Sequence, residues 1–582
     1  MLKTLGAQIK EFKKDSFLTP VFMILEVLME TIIPLMMASI IDNGVEAGDI
    51  HHIYVMGGCM VIVACISLFA GTMGGKYGAR ASAGFARNLR KAMYENIQTF
   101  SFSNIDKFST AGLVTRLTTD VTNLQNAYQM LLRMCVRAPI SLICAMIMAF
   151  FINARLASVY LIAVIVLGMI LAIITVRAHH YFMEVFPKYD DLNASVQENV
   201  SAIRVVKAYV REDYEKKKFT QASKNIYNMF VKAEGVLAFN SPVMQIAVYS
   251  CIIALSWLGA KMIVAGSLTT GELMSLLTYC MNIMMSLMML SMVFVMLAMS
   301  IASAERICEV LNEKSDITNP ENPVYEVADG SVTFDHVTFR YNKTSDKPIL
   351  DDVNLSIRSG ETIGVIGGTG SSKSSLVNLI SRLYDVSEGA VLVGGKDVRS
   401  YDLDTLRDEV SVVLQNNVLF SGTIYENLRW GDKNATDEEC RHACRLACAD
   451  EFIDRFPDGY NTYIEQGGTN VSGGQKQRLC IARALLKKPK ILILDDSTSA
   501  VDTVTDAKIR KAFAEEIPDT TKFIIAQRIS SVQNADRIIV LDNGVVNGFG
   551  THEELLASND IYRDVYESQT SGSGDFDEGG AA

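Results

Sequence analysis

Six long apolar stretches occupy the first half of the chain and limit the folds available to it. They lie at roughly 18–41, 53–73, 130–152, 156–176, 236–264 and 273–301. Each stretch is long enough to cross a hydrocarbon core of about 30 Å as an α-helix. Only helices and closed barrels satisfy their backbone polar groups inside a membrane. The first half therefore predicts an all-helical domain that spans a membrane six times.

The connectors between these stretches differ in length and in charge. The polar, helix-compatible connectors at 75–127 and 177–235 carry 7 and 10 Lys or Arg, whereas the three short connectors carry only Arg155. Connectors rich in Lys and Arg stay on the cytoplasmic side during membrane insertion. We therefore expect a multi-pass protein of the cell membrane, with both long connectors and both termini in the cytoplasm.

The net charge and the cysteine pattern argue against a nucleic-acid partner and against a disulfide framework. The net charge of the chain is −11, whereas proteins that bind nucleic acids normally present a basic surface. We therefore expect no nucleic-acid partner. The eleven cysteines show no regular spacing, which favours reduced thiols in a protein that faces the cytoplasm over a disulfide framework.

From about residue 331 the pattern changes to short β-rich runs that alternate with helical segments, which is typical of a mostly parallel α/β sheet. The apolar strand ETIGVIG leads directly into GGTGSSKSSLVNLI. A strand, a glycine-rich turn and a helix that begins with Lys-Ser form the context of a phosphate-binding loop. The predicted phosphate loop comprises Gly367, Gly368, Thr369, Gly370, Ser371, Ser372, Lys373, Ser374 and Ser375.

Two features of this phosphate loop bear on its chemistry. Backbone amides are expected to cradle a phosphate, while Lys373 reaches the β- and γ-phosphates and Ser374 binds Mg²⁺. The pattern normally has glycine immediately before the lysine, but Ser372 stands there. A side chain at that position is expected to strain the loop.

Two later segments add to the nucleotide-binding prediction. The hydrophobic run ILILDD ends in Asp495, which suits the carboxylate that holds Mg²⁺ in a phosphate-loop ATPase. Upstream of it, NVSGGQKQR opens a helix with bare backbone amides and a hydroxyl, which fits a second phosphate-binding end. We call its core the signature segment, which consists of Ser472, Gly473, Gly474 and Gln475.

Over 18–568 the chain resembles the ATP-binding cassette exporters in which one polypeptide fuses six spans to one cassette. The resemblance implies that Tyr341 in FRYN stacks on adenine, that Gln415 in VVLQNN senses Mg²⁺ and the γ-phosphate, and that Asp502 closes the D-loop SAVD. It also implies that two cassettes close head to tail, with each ATP between the phosphate loop of one chain and the signature segment of the other. A chain with one cassette then needs a second half-transporter.

The fold class that follows is an all-α six-helix transmembrane domain, of the type IV exporter kind, fused to an α/β P-loop nucleotide-binding domain. The expected domains are a transmembrane domain at 1–310, a linker at 311–330, a cassette at 331–568 and a disordered tail at 569–582. The expected ligands are ATP and Mg²⁺, with the metal held by Ser374, Gln415 and Asp495.

Two residues depart from the family pattern at the positions that would carry catalysis. Asp496 stands where the family has a glutamate that polarises the attacking water, and its side chain is shorter by roughly 1.3 to 1.5 Å. Gln527 in FIIAQRISS stands where the family has its switch histidine. Either these changes are tolerated and the site still turns over, or ATP held by this chain is hydrolysed poorly. We favour the second interpretation, which makes the chain the degenerate-site half of a heterodimer.

Candidates for the substrate cavity lie in the first and last spans. Glu26 and Glu30 share one helix face at membrane depth, where ionisable residues are functional candidates. They indicate either a cationic or amphipathic substrate or pairing with Arg133 or Arg137. The last span is rich in methionine, which packs against lipid or protein at most positions but can also line a flexible cavity. The methionines proposed for the cavity are Met285, Met289 and Met292.

The predicted function is ATP-driven export of an amphipathic or drug-like solute, a lipid or a peptide across the cytoplasmic membrane. Two alternatives remain open. One is an ATP-gated conduit or regulatory subunit that closes its cassettes without pumping. The other is an importer on the same scaffold, because a fold does not by itself determine a function.

Overall fold

The computed structural model describes residues 1–342, 347–368 and 370–571. It contains two compact units, each described separately below. The first unit consists of Met1–Thr99 and Phe108–Glu313, and the second of Phe100–Lys107 and Lys314–Ala582. Thr369 of the predicted phosphate loop lies outside the described residues.

Long helices build the first unit. Within the described ranges, six helical spans are long and apolar enough to cross a membrane, so the predicted six-helix domain is confirmed. The chain order of its helices, with one short helix that belongs to the second unit, is α1 (Leu2–Gly6), α2 (Lys13–Ser39), α3 (Ile50–Gln98), α4 (Phe102–Lys107), α5 (Thr110–Thr115), α6 (Val121–Ile152), α7 (Ala154–Ser201), α8 (Ile203–Ala208), α9 (Glu212–Leu237), α10 (Asn240–Val264) and α11 (Thr270–Asn312).

The turn between α6 and α7 shows how tightly the spans are connected. Asn153 alone separates the two helices, and its side-chain oxygen accepts hydrogen bonds from the amides of Arg155 and Leu156, each at 3.1 Å. An asparagine at this position satisfies amides that have no partner in the first turn of a helix. The two helices can therefore reverse direction within one residue.

Helix α4 belongs to the second unit although its sequence lies between two spans. The hydroxyl of Ser103 donates to Asp316 at 2.7 Å, and the phenol of Tyr384 donates to Asp106 at 2.6 Å. The ring of Phe102 also packs edge-on against Tyr384, with the ring centroids 6.0 Å apart. These contacts place 100–107 in the same compact unit as the cassette. The prediction had included these residues in the transmembrane domain at 1–310.

The cassette is built on two larger sheets. Among the described residues, one sheet has the antiparallel order β2-β1-β4-β5 and the other the order β12-β11-β3-β10-β9-β6. In the second sheet all pairings are parallel except that of β11 with β12. The strands are β1 (Val332–Phe339), β2 (Leu350–Ile357), β3 (Thr362–Gly367), β4 (Glu388–Val393), β5 (Lys396–Asp397), β6 (Val410–Val413), β7 (Gly422–Thr423), β8 (Tyr463–Ile464), β9 (Ile491–Asp495), β10 (Thr521–Ile525), β11 (Arg537–Asp542) and β12 (Val545–Gly550).

Helices complete the cassette and cover an apolar core that includes the four hydrophobic residues of β9. Their bounds are α12 (Lys373–Asn378), α13 (Leu403–Glu409), α14 (Ile424–Leu428), α15 (Asp437–Leu446), α16 (Asp450–Ile453), α17 (Gly473–Leu485), α18 (Thr503–Glu516), α19 (His552–Ser558) and α20 (Asp560–Ser571). Helix α20 runs past residue 569, so the disordered tail expected from that residue is wrong for 569–571. The remainder of that expected tail, 572–582, lies outside the described residues.

Candidate nucleotide-binding site

Three neighbouring parallel strands deliver the predicted site residues to one edge of the sheet. In register, Ile525 of β10 pairs with Val365 of β3 on one side and with Asp495 of β9 on the other. The loops that follow the three strands therefore begin side by side, at the edge where open α/β sheets bind ligands. They contribute to the lining of a cavity of about 460 Å³.

The phosphate loop has open space where a phosphate would lie. A Cβ added to Gly368 or Gly370 would meet no atom within 4 Å, so these glycines leave the loop face uncovered. The ammonium group of Lys373 donates to the carbonyls of Gly367 and Gly368, at 2.8 and 2.9 Å. Burial lowers the pKa of Lys373, while the nearby carboxylates of the β9 end oppose that shift. A glycine-lined loop with a lysine curled over it fits the phosphates of a nucleotide.

Ser372 carries the conformation that its position in the motif requires of glycine. Its backbone angles are φ 72° and ψ 23°, in the left-handed region. For a residue with a side chain this conformation costs about 1 to 2 kcal/mol. The departure recognised in the sequence therefore coincides with backbone strain immediately before Lys373.

The proposed metal ligands lie at the same cavity. Asp495 is 5% exposed, and burial raises its pKa, while a hydrogen bond from the Ser374 hydroxyl opposes that rise. Gln415 also lines the cavity. In the described ranges no group of three Asp, Glu, His or Cys residues is arranged to hold a metal. An oxygen-only set of this size fits Mg²⁺, which usually keeps waters and substrate phosphates among its ligands.

The two residues that depart from the family pattern contact each other. The Gln527 amide donates to a carboxylate oxygen of Asp496 at 2.9 Å. Asp496 has φ 48°, and its backbone amide donates to the carbonyl of Ile525 at 3.1 Å. Burial raises the pKa of Asp496, and the bond from Gln527 acts in the opposite direction. One of the two carboxylate oxygens of Asp496 is therefore already hydrogen-bonded to Gln527.

Tyr341 lies beside the phosphate loop and is 48% exposed as a residue. Its hydroxyl and that of Ser375 are 2.9 Å apart. Phe339 and Tyr384 support the ring edge-on, with centroid distances of 4.8 and 5.0 Å. A half-exposed aromatic ring held in this way provides a surface on which a base can stack.

The signature segment forms a complete helix start. The Ser472 hydroxyl accepts from the amide of Gln475 at 3.3 Å, and the Gln475 side chain accepts from the amide of Ser472 at 2.9 Å. This reciprocal pair is a capping box at the beginning of α17. Ser472 and Gly473 are exposed. Among the described residues, those of the signature segment do not line the cavity at Lys373.

Gln477 is a positioning residue that the sequence did not reveal. Its amide nitrogen donates to the hydroxyl of Ser499 at 3.2 Å, and its carbonyl oxygen accepts from the amide of Ala500 at 3.0 Å. The side chain therefore fixes the SAVD turn onto the signature helix. Asp502, the last residue of that turn, caps α18 by accepting from the amide of Thr505 at 2.9 Å. A glutamine inside a polar helical run carries no sequence signal for such a contact.

The acidic pair of the first span is joined to the third span. Arg137 donates to Glu26 at 2.8 Å and to both oxygens of Glu30 at 2.9 and 3.0 Å. Of the two basic residues considered for pairing, the structure selects Arg137. The second oxygen of Glu26 is buried and has no hydrogen-bond partner among the residues that the structure describes.

The three methionines proposed for the cavity lie in α11. Met285 and Met292 are 66% and 62% exposed, and Met289 is half-buried. Their assignment to a substrate cavity stays a prediction.

Comparison with known proteins agrees with this arrangement. Residues 16–303 match the family model described as ABC transporter transmembrane region, and residues 350–499 match the model described as ABC transporter. The chain belongs to the ABC transporter family, and it is an exporter-type protein that carries its membrane and ATP-binding domains in one multi-pass polypeptide.

Similar proteins cover most of the chain. An uncharacterized ABC transporter ATP-binding protein of Bacillus subtilis, YfiB, is 36% identical over 94% of this chain and 95% of its own length. An ATP-dependent lipid A-core flippase of Desulfotalea psychrophila is 32% identical over 84% and 85%. A probable multidrug resistance ABC transporter of Bacillus subtilis, YheI, is 35% identical over 72% of each chain.

A solved structure extends the likeness to the fold. A bacterial Atm1-family ABC exporter with ATP bound has a TM-score of 0.81 and 25% identity, and the match covers 96% of this chain and 99% of that one. The predicted fold class is confirmed. ATP-driven export is the activity that these homologues support for the chain.

Proposed function

We propose that this protein is the degenerate-site half of a heterodimeric exporter in the cell membrane, with its cassette in the cytoplasm. In this proposal it binds ATP and Mg²⁺ at its phosphate loop but hydrolyses that ATP poorly. Its signature segment completes the active site of a partner half-transporter. The observation that carries the proposal is the hydrogen bond between Asp496 and Gln527.

The separation of the two phosphate-binding ends supports a need for a second cassette. The cavity at Lys373 is lined on one side by the phosphate loop and on the other by Asp495, Asp496 and Gln527. The signature segment lies outside this lining, yet it presents the exposed amides of a helix start. Each end therefore lacks an opposite face that another cassette would supply.

The chemistry available at the Lys373 cavity supports binding more than hydrolysis. Bound Mg²⁺ supplies charge that stabilises the transferred phosphoryl group. Lys373 and the loop amides can hold phosphate, and Ser374 with Asp495 can hold the metal. A base must come within about 2.6 to 3.2 Å of the water it activates. Asp496 has the shorter side chain and already accepts a hydrogen bond, which weakens it for that task.

Gln527 differs from a switch histidine in charge as well as in shape. An amide can donate a hydrogen bond to a phosphate oxygen, but it has no cationic form. It therefore offers less stabilisation to the charge that develops during phosphoryl transfer. Because both altered residues face the same cavity, their effects on hydrolysis are expected to combine.

The proposed solute is amphipathic or drug-like, with a lipid or a peptide as further classes. One relative is a probable multidrug resistance transporter and another a lipid A-core flippase, which supports an amphipathic cargo. The pairing of Glu26 and Glu30 with Arg137 supports the structural alternative for these acids over a substrate contact. Met285, Met289 and Met292 remain candidates for a flexible cavity wall.

The test compares the purified chain alone with the chain plus a partner encoded beside it. We expect the single chain to have weak ATPase activity, because a homodimer would contain two copies of the altered site. The pair should hydrolyse ATP and retain one ATP at Lys373. Robust turnover by the single chain would contradict the degenerate-site assignment and favour a working homodimer.

Transport by the reconstituted pair separates the alternative functions. Accumulation of a fluorescent amphiphile in inside-out vesicles, against its gradient, would demonstrate export. Movement only down the gradient would favour the ATP-gated conduit. ATP-driven loss of the amphiphile from preloaded inside-out vesicles would favour an importer.

A further inference from the structure

The last helix of the cassette contacts the nucleotide site through one glutamine. The side-chain oxygen of Gln569 accepts from the amide of Ile529 at 2.8 Å, and its nitrogen donates to the carbonyl of Gln527 at 2.9 Å. These two backbone groups lie two residues apart in the segment that follows β10. Both hydrogen-bonding ends of the Gln569 side chain are therefore engaged by the segment that carries the switch position.

Helix α20 is itself anchored to the body of the cassette. Tyr562 is fully buried, and its hydroxyl lies 2.7 Å from Nδ1 of His552. The Asn559 side chain accepts from the amide of Tyr562 at 2.9 Å and so fixes the first turn. A helix anchored at its beginning can hold Gln569 in place two turns later.

The same helix face reaches the cavity. Positions 562, 565 and 569 are spaced by three and four residues and so lie on one side of a helix. Val565 lines the cavity that contains Lys373 and Asp496. Gln569 lies one turn further along this side and holds the backbone of the residue whose side chain contacts Asp496.

These contacts form a continuous path from α20 to the cavity. Gln569 fixes the carbonyl of Gln527 and the amide of Ile529, which restricts the backbone between them. The direction of the Gln527 side chain follows from that backbone, and its amide then reaches Asp496. A packing role alone does not require that both polar ends of Gln569 be paired with this segment.

We propose that Gln569 is a positioning residue of the nucleotide site, through which α20 sets the orientation of Gln527. The proposal rests on the proposed binding of ATP at Lys373. Its consequence is that the last helix contributes to the discrimination between ATP and ADP, because Gln527 lines the same cavity as Lys373, which the proposed function assigns to the terminal phosphates. Loss of the Gln569 contacts should loosen Gln527 without removing the phosphate loop.

The test measures the binding of fluorescent mant-ATP and mant-ADP, with Mg²⁺, to the full chain in lipid nanodiscs. We expect Gln569→Ala to reduce the preference for mant-ATP over mant-ADP by about fivefold, the scale of one lost hydrogen bond. Hydrogen exchange at the Ile529 amide should become faster in the same variant. Gln533→Ala, which changes an exposed glutamine of the neighbouring turn, is the matched control and should alter neither quantity.

An isosteric variant separates positioning from packing. Gln569→Glu keeps an acceptor for the Ile529 amide but replaces the donor to the Gln527 carbonyl. We expect it to leave the Ile529 amide protected while the preference for mant-ATP still falls. A role in packing alone predicts instead that the two quantities stay unchanged in this variant or change together, and that result would overturn the proposal.

A double-substitution cycle tests whether the effect passes through Gln527. In a Gln527→Ala background, Gln569→Ala should cause no further loss of nucleotide preference. An equal loss in both backgrounds would overturn the proposal. If the unsubstituted chain binds neither nucleotide, the proposed function fails, whereas unchanged exchange at Ile529 in Gln569→Ala would refute the positioning contact itself.

Discussion

The cassette contains two helix starts that are candidates for phosphate binding, at α12 and at α17. They differ in backbone conformation and in helix capping. At the start of α12, Ser372 takes a left-handed conformation, and among the described residues its side chain makes no capping hydrogen bond. At the start of α17, Ser472 and Gln475 form a capping box in an ordinary extended conformation. The departures from the family pattern thus concentrate at the start of α12, whereas the start of α17, which the proposal assigns to a partner's site, is intact.

If the proposed function holds, this difference predicts that hydrolysis can be lost at a site that still binds ATP. The α12 start keeps its open glycine face and Lys373, so it can still hold phosphate. Its neighbours Asp496 and Gln527, which contact each other, carry the changes that the proposal connects with the chemical step. The α17 start has no comparable change, which is expected if it works opposite a partner's complete site.

The largest effect is expected from disrupting the intact end. Ser472→Arg should lower ATP turnover of the pair by at least about 100-fold, because a bulky cation would block the surface that closes on the partner's nucleotide. Thr436→Arg is the matched control, since Thr436 forms an equivalent capping box on α15. It should cost similar stability yet leave turnover within a few-fold. Steady-state ATPase assays of the pair measure both, and normal turnover with Ser472→Arg would remove the assignment of the signature segment.

The second-largest effect concerns Mg²⁺ binding at the cavity that contains Lys373. Asp495→Asn keeps the shape of the side chain but removes the charge that holds Mg²⁺. We expect retention of ATP at Lys373 to fall by about tenfold, or 1.4 kcal/mol. The measurement is filter retention of labelled ATP with and without Mg²⁺. A loss of the same size in the absence of Mg²⁺ would argue against a metal ligand.

The third effect is a gain of stability at Ser372. Ser372→Gly should raise the free energy of unfolding of the cassette by about 0.5 to 1 kcal/mol, because the relief of left-handed strain exceeds the extra freedom of glycine in the unfolded chain. Thermal unfolding of the full chain, followed by cassette fluorescence, measures the shift. Ser371→Gly is the neighbouring control. It should destabilise, since it removes a buried hydroxyl that accepts from Lys373.

The smallest effect on ATP turnover is expected from substitution of Asp496, which stands at the position of the catalytic base. Asp496→Ala should leave ATP turnover of the pair within a few-fold, because the carboxylate is too short and is already engaged by Gln527. Steady-state turnover and the amount of trapped ATP are the measurements. If turnover fell by about 100-fold, the usual scale for removal of a general base, while assembly and ATP binding stayed normal, Asp496 would be a working base. The site at the start of α12 would then be catalytically competent, and the proposed difference between it and the start of α17 would be wrong.

The sequence alone was sufficient for the features that depend on local rules. A membrane span requires only a run of apolar residues of the right length, and the six runs coincide with six helical spans in the described ranges. The phosphate loop is likewise encoded by adjacent residues, so Lys373, Ser374 and the strain at Ser372 were recognisable before the fold was known. The carboxylate of Asp495 followed from its position at the end of a buried strand.

Only the tertiary structure decided the contacts between distant segments. Gln527 reaches Asp496 because β9 and β10 pair in parallel register, and Arg137 reaches Glu26 because α2 and α6 pack together. Gln569 falls in the predicted disordered tail, because the segment that follows it, TSGSGDFDEGGAA, consists mostly of Gly, Ser and acidic residues. The physical reason is that a side-chain hydrogen bond depends on distances and directions within a fraction of an ångström. Sequence patterns specify the elements, whereas the packing of those elements sets the distances.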